Sequence, residues 1–189
     1  MSDRKPKSRT PLLLTLLTIG IFLVGAVIIQ LLVHEQETAL ESAGFILPPV
    51  IMNQDFPQLA LTDLQGNPVS SVITHGKVVL VNNWATWCPP CLAEMPELQA
   101  YYQAHINQDL VLIAIESGEP ADVVTRFVRQ HGLTFPVWLD PHAVALDFFR
   151  NWNLPSSYLI DRQSIIRMSW TGPVNQATLE KYVTPLLEK

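Results

Sequence analysis

The stretch "GKVVLVNNWATWCPPCLAEMPEL", residues 76–98, contains both cysteines of a 189-residue chain. Its first part, Lys77–Trp84, is a near-continuous apolar run of the kind expected for a strand buried on both faces. Pro89 and Pro90 follow shortly after. Proline suits the first turn of a helix, whose N–H groups lack intrahelical partners in any case. The stretch therefore reads as a strand, a short loop and a helix reaching about His105. Cys88 stands where the helix starts and Cys91 one turn further on.

A Cys-Pro-Pro-Cys pair admits three chemistries. As a staple it closes a loop of only about four residues, worth about 2 kcal/mol in the chain-entropy model, and a chain of this length buries a core without it. Structural zinc asks for four ligands, often two such pairs, and a second pair is missing. Haem attachment asks for histidine after the second cysteine; Leu92 stands there. Redox cycling is left ahead. The site would lie outside the carboxyl end of a strand, with the thiol at the positive end of a helix dipole. A thiolate is the nucleophile, and helix N-termini favour it. This makes Cys88 the expected attacker and Cys91 the resolving thiol. Neither proline carries an N–H to donate to the Cys88 sulfur, so its pKa is expected to be lowered only modestly. A reduced form that is less stabilised is the better reductant.

Around this stretch the chain alternates strands and helices, which argues for an α/β fold with a parallel or mixed sheet flanked by helices. "FPQLALTDLQGNPVSSVI" (56–73) reads as a hairpin turning at Gly66-Asn67. "LVLIAIE" (110–116) is a second buried strand. "ADVVTRFVRQHG" (121–132) places Val123, Val124, Phe127 and Val128 on one helical face. "FPVWLD" is a strand and "AVALDFFRNWN" a helix. "SSYLID" and "SIIRMSWTG" form an antiparallel hairpin around Asp161–Ser164. "ATLEKYVTPLL" closes the chain as a helix that Pro185 kinks or shortens. Trp84 is expected in the core. Tyr101, Tyr102, Phe127, Trp138, Phe148, Phe149, Trp152 and Trp170 are expected to serve packing.

On "DFPQLALTDLQGNPVS", "GKVVLVNNWATWCPPCLAEMPEL", "GLTFPVWLD" and "NLPSSYLIDRQ", in that order, residues 55–189 resemble the membrane-anchored thiol–disulfide oxidoreductases of the TlpA/ResA/CcmG type. The resemblance implies a thioredoxin-like fold, with the segment from about Leu110 to Arg150 as a central βα insertion. It implies a cis peptide bond at Leu154-Pro155, facing the cysteine pair. It implies a catalytic role for Glu94, near the disulfide, taking or relaying the Cys91 proton if burial raises its pKa. It implies a kink at Pro96. Trp87, Leu154 and Pro155 become the expected substrate-binding residues, Trp87 as an exposed apolar contact. No cofactor and no metal are implied. The family's strand before the motif usually ends in an aromatic residue, and here Asn83 takes that place. The implied function is reduction of target disulfides in cytochrome c maturation. The implied client is apocytochrome c, and the electron donor a membrane protein of the CcdA or DsbD kind.

The N-terminus carries Arg4, Lys5, Lys7 and Arg9 before an uncharged apolar run. As a helix, Leu12–Val33 spans about 33 Å at 1.5 Å per residue, enough to cross a bilayer and longer than the apolar core of a cleaved signal peptide. Residues 1–11 are then a cytoplasmic tail, 12–33 a transmembrane anchor, 34–51 a linker stiffened by Pro48-Pro49, and 52–189 one domain. Between His34 and Gly76 there is neither Lys nor Arg, so the positive-inside rule puts the domain outside the bacterial cell membrane. Residues 34–189 hold 16 acids (17 less Asp3) and 8 Lys/Arg (12 less the tail's four), a net charge of −8. That charge excludes nucleic acid, which wants a basic face.

Two rivals meet the same residues. A peroxidase of the peroxiredoxin type carries proline and threonine ahead of its cysteine, where Val81 and Ala85 stand here. A copper-binding assembly factor for a respiratory oxidase, or a reductant of copper-site thiols, would use the affinity of copper(I) for thiolates. Copper carriers space their cysteines more widely, and none of His34, His75, His105, His131 or His142 sits in a ligand motif.

Overall fold

The computed structural model describes residues 20, 24–30, 48–70 and 74–188. The chain divides into two units, Met1–Phe45 and Ile46–Lys189. In the first, residues 24–30 are helical. Among the described residues no helix is long and apolar enough to cross a membrane. Most of the expected span at 12–33, and the linker as far as residue 47, lie outside the described residues.

The second unit is built on one seven-stranded sheet. Its strands are β1 (Val50–Asp55), β2 (Thr62–Asp63), β3 (Val78–Trp84), β4 (Leu110–Ser117), β5 (Val137–Asp140), β6 (Ser156–Ile160) and β7 (Ile165–Thr171). The helices are α1 (Pro89–His105), α2 (Ala121–Gln130), α3 (Val144–Phe149), α4 (Gln176–Tyr182) and α5 (Thr184–Leu187). The order across the sheet is β1-β7-β6-β3-β4-β5-β2. Strand β3 is in the middle, parallel to β4 and antiparallel to β6. The sheet is therefore mixed, as the alternation of elements implies. The segment 110–150 supplies β4, α2, β5 and α3.

Every residue of β3 is buried, and its side chains alternate between two cores. Val78, Leu80 and Trp84 pack with Met95, Leu98 and Tyr101 of α1 and with Leu179 of α4. Val79 and Val81 face the other way, onto Ile113, Ile115, Tyr158, Leu59 and Leu61. Asn82 and Asn83 continue the alternation, so each lies on a different face.

Three local features depart from the expected reading. The linker's last two residues, Val50 and Ile51, begin strand β1, which pairs antiparallel with β7. This strand is an exposed sheet edge, so it shows no alternation for the sequence to reveal. The expected N-terminal hairpin is present only as a turn. Asp63 Oδ1 accepts from the Gln65 and Asn67 amides at 2.9 and 2.8 Å, and Gly66 takes a positive φ of 83°. Its arms meet in a single bridge, Thr62 to Pro68, and β2 pairs with β5 instead. The closing helix is shortened near Pro185 as expected: α4 ends at Tyr182, and Pro185 lies in the first turn of α5. Trp152, expected in packing, is exposed.

The two-sided burial of β3 makes a direct test. Leu80→Ala should lower stability by about 2–5 kcal/mol, the cost of an unfilled core site. Ile51→Ala, on the exposed edge, should stay within about 0.5 kcal/mol. Equal shifts of the urea midpoint for the two variants would contradict the assignment of β3 as the core strand.

Candidate functional site

Strand β3 ends at Trp84, and the next residues turn directly into α1. Cys88 is the N-cap of that helix, in extended backbone conformation (φ −95°, ψ 102°). Its Sγ accepts the amide N–H of Cys91 at 3.3 Å. Pro89 and Pro90 offer no donors there. Cys88 and Cys91 are joined in a disulfide, with their Cα atoms 5.3 Å apart. Both are buried, while Trp87 beside them is 65% exposed.

The loop before Cys88 is tied down from β4's end. Glu119 takes both Thr86 donors, the amide on Oε2 and the hydroxyl on Oε1, each at 2.6 Å. The Glu119 amide in turn donates to Glu116 Oε2 at 3.3 Å. Glu116 is buried on β4, opposite Trp84 in register. Burial, together with the neighbouring carboxyls of Glu119 and Asp140, pushes Glu116 up to about 8.

Glu94 lies one turn beyond Cys91 on the buried stripe of α1, with Cys91, Met95 and Leu98. Positions three and four apart share a helical face, so this orientation follows from spacing. Asn82 Nδ2 on β3 donates to Glu94 Oε1 at 2.7 Å. The Val174 amide, just before α4, donates to Oε2 at 2.8 Å. Burial raises the Glu94 pKa to about 7, against the pull of these two hydrogen bonds.

The peptide bond between Leu154 and Pro155 is cis. Pro155 is buried and Leu154 half-buried. Strand β6 starts one residue later, with Ser156 opposite Asn83 near the C-terminal end of β3, so this loop lies at the same end of the sheet as the cysteines. Cys88, Cys91, Trp87, Leu154 and Pro155 thus gather there, with Glu94 below on α1. Asn83 stands apart on the other face, its Nδ2 3.3 Å from Ser156 Oγ. Sequence reasoning singled out Asn83 and missed Asn82, Thr86, Glu116 and Glu119. Strand parity relative to α1 would have exposed Asn82. The Glu119 contact joins residues 33 positions apart, and no local pattern announces it. Among the described residues no cluster of three or more His, Cys, Asp or Glu is arranged to hold a metal ion.

Comparison with known proteins agrees with this geometry. The AhpC/TSA family model matches residues 52–169. The thiol-disulfide oxidoreductase ResA of Geobacillus kaustophilus is 32% identical over 134 residues, covering 71% of this chain and 77% of the relative. Among solved structures, StoA of Bacillus subtilis superposes with a TM-score of 0.59 at 25% identity, covering 67% of this chain and 96% of that one. A thiol:disulfide interchange protein of the thioredoxin family from Chlorobium tepidum reaches 0.65 at 24% identity, covering 71% and 97%, and supports the thioredoxin-like fold.

The raised Glu94 pKa has a definite sign in stability. The folded protein holds this proton more tightly than the unfolded chain, so the stabilisation is complete below about 4.5 and is lost as pH rises through about 7. Between those limits the loss from Glu94 alone is on the order of 3 kcal/mol, and Glu116 adds in the same direction. Denaturant titrations at pH 5 and pH 8 should show wild type markedly weaker at pH 8 and Glu94→Gln with a flatter profile. Identical profiles would place the Glu94 carboxyl in water rather than in the core.

Proposed function

Because the chain belongs to the AhpC/TSA family and is a thiol–disulfide oxidoreductase, we propose that it is a membrane-tethered, extracytoplasmic reductant of client disulfides in cytochrome c maturation. The observation that carries the reductant reading is the poor solvation of the Cys88 sulfur. It accepts one amide N–H, from Cys91, where the two prolines have removed the others. The buried Glu94 carboxyl adds negative charge nearby when ionised and disfavours a thiolate. Both raise the cost of the reduced pair relative to a strongly oxidising relative.

In the proposed cycle the Cys88 thiolate attacks one sulfur of the client disulfide. The client S–S bond breaks, one client thiolate leaves, and a mixed disulfide forms. Cys91 gives its proton to Glu94 and attacks the Cys88 sulfur. The second client thiol departs, and the Cys88–Cys91 disulfide carries away the two electrons' worth of oxidation. Trp87, Leu154 and Pro155 hold the client segment during the exchange. A membrane electron carrier of the CcdA or DsbD kind restores the dithiol. The client is apocytochrome c, whose haem-attachment cysteines must be reduced before ligation. The support for tethering is the basic tail ahead of Leu12–Val33, which sets the N-terminus in the cytoplasm and the domain outside.

Several outcomes are expected. Cys91→Ser should accumulate mixed disulfides in cells and Cys88→Ser should not; capture identifies the client, and reversed trapping would exchange the two roles. The potential should lie nearer thioredoxin's, about −270 mV, than the roughly −120 mV of a strong oxidant, and Glu94→Gln should shift it upward. A potential above that of glutathione would reject the reductant assignment. Loss of the gene should deplete c-type cytochromes, with rescue by an added thiol. Normal cytochromes with a defective copper oxidase would move the client to copper-site thiols. Protease added to intact spheroplasts should remove a C-terminal tag; a protected tag would overturn the topology.

A further inference from the structure

The loop that leads into Pro155 presents a second large indole to solvent. Trp152 is 62% exposed, and the chain on both sides of it is fixed. The Asn151 amide donates to Leu146 O at 3.2 Å, and Asn151 Nδ2 donates to Thr171 Oγ1 at 3.0 Å. Asn151 Oδ1 accepts both the amide and the side-chain N–H of Asn153, each at 3.1 Å. Further along, the Gly172 amide donates to Pro155 O at 2.9 Å. The indole is therefore carried on a pinned loop, and ordering it on contact costs little backbone entropy.

Its position follows from register. Strand β6 starts at Ser156, paired antiparallel with Asn83, so residues 150–155 leave the sheet at the end where 85–88 emerge. Trp87, 65% exposed, is carried on that neighbouring segment. The chemistry of the two segments is also one-sided. The chain has 29 charged side chains (12 basic, 17 acidic), yet residues 83–93 and 151–160 contain none. The exposed Leu92 and half-buried Leu154 add apolar surface. A solvent-facing pair of tryptophans, on two segments that themselves carry no charge and at the sheet end that holds the redox disulfide, is the composition of a binding hot spot.

We propose that Trp152 is a second client anchor, which with Trp87 receives an aromatic or aliphatic side chain adjoining the client's reactive cysteine. The occupant is an extended, uncharged segment of the disulfide-bearing client, because a client sulfur must reach Cys88 between these two loops. This deepens the oxidoreductase reading and rests on it.

The test uses the full-length chain in detergent micelles, with dithiothreitol restoring its dithiol after each turnover and the direct reaction of dithiothreitol subtracted, and two synthetic peptides, each with an internal Cys-Xaa-Xaa-Cys disulfide. They differ only in the residue before the first cysteine, Phe in one and Ser in the other. Wild type should show a KM about tenfold lower for the Phe peptide. Trp152→Ala should raise the KM for the Phe peptide to that of the Ser peptide with kcat little changed, and Trp152→Phe should recover most of the loss. An unchanged KM in Trp152→Ala overturns the assignment. So does a parallel fall in kcat for the peptides and for hydroxyethyl disulfide, which would make the loop a support for the cysteine pair. Conversion of a dimer to a monomer by Trp152→Ala with KM unaltered would give the surface to a second copy of the chain and also overturn it. Failure of wild type to reduce hydroxyethyl disulfide would instead strike at the oxidoreductase reading itself, since that molecule presents little beyond its sulfurs.

Discussion

Strand β3 is held by β4 on one side and β6 on the other and covered on both faces, so the point at which it ends is fixed in three dimensions. The loop to α1 starts from that fixed point, and Cys88 caps the helix that follows. Burial of this strand also decides which face each neighbour sees. Asn82, on the α1 side, reaches Glu94, whereas Asn83, one residue on, reaches Ser156 on the other. The placing of the redox pair and of its buried acid are consequences of one strand that has no solvent face.

Much of this was legible in the amino-acid order because the informative elements are buried. The apolar runs of β3 and β4, the proline start of α1 and the β6–β7 hairpin all carry strong patterning, and the helices and strands appear where it puts them. Strand β1 escaped because an exposed edge strand need not alternate; its residues are nearly all solvent-facing. The Asp63–Asn67 turn was legible, but the pairing of β2 was not, since β5 supplies its partner from far along the chain. Within the site, the two cysteines and the inward stripe containing Glu94 follow from local spacing. The Val174 amide and the Glu119 carboxylate come from remote loops, and their approach is a property of the assembled sheet. Trp152 reversed its expected role because apolar composition alone does not distinguish a ring packed in a core from one held out on a pinned loop.

Two buried carboxyls at this end of the molecule differ in what surrounds them. Glu94 is opposed by two hydrogen-bond donors and is still raised by burial to about 7. Glu116 sits beside other carboxyls and goes higher, to about 8. Its neighbour Glu119 accepts two hydrogen bonds from Thr86, which ties the Trp87 loop to the end of β4.

Each Glu94 oxygen accepts one hydrogen bond, and a carboxylate oxygen has two lone pairs. A proton can therefore settle on Glu94 or leave it while both bonds to the scaffold persist. The group behaves as a small capacitor built into the wall of the site: it stores or releases one charge at a fixed location, and the helix, the central strand and the segment before α4 stay clamped together in either state.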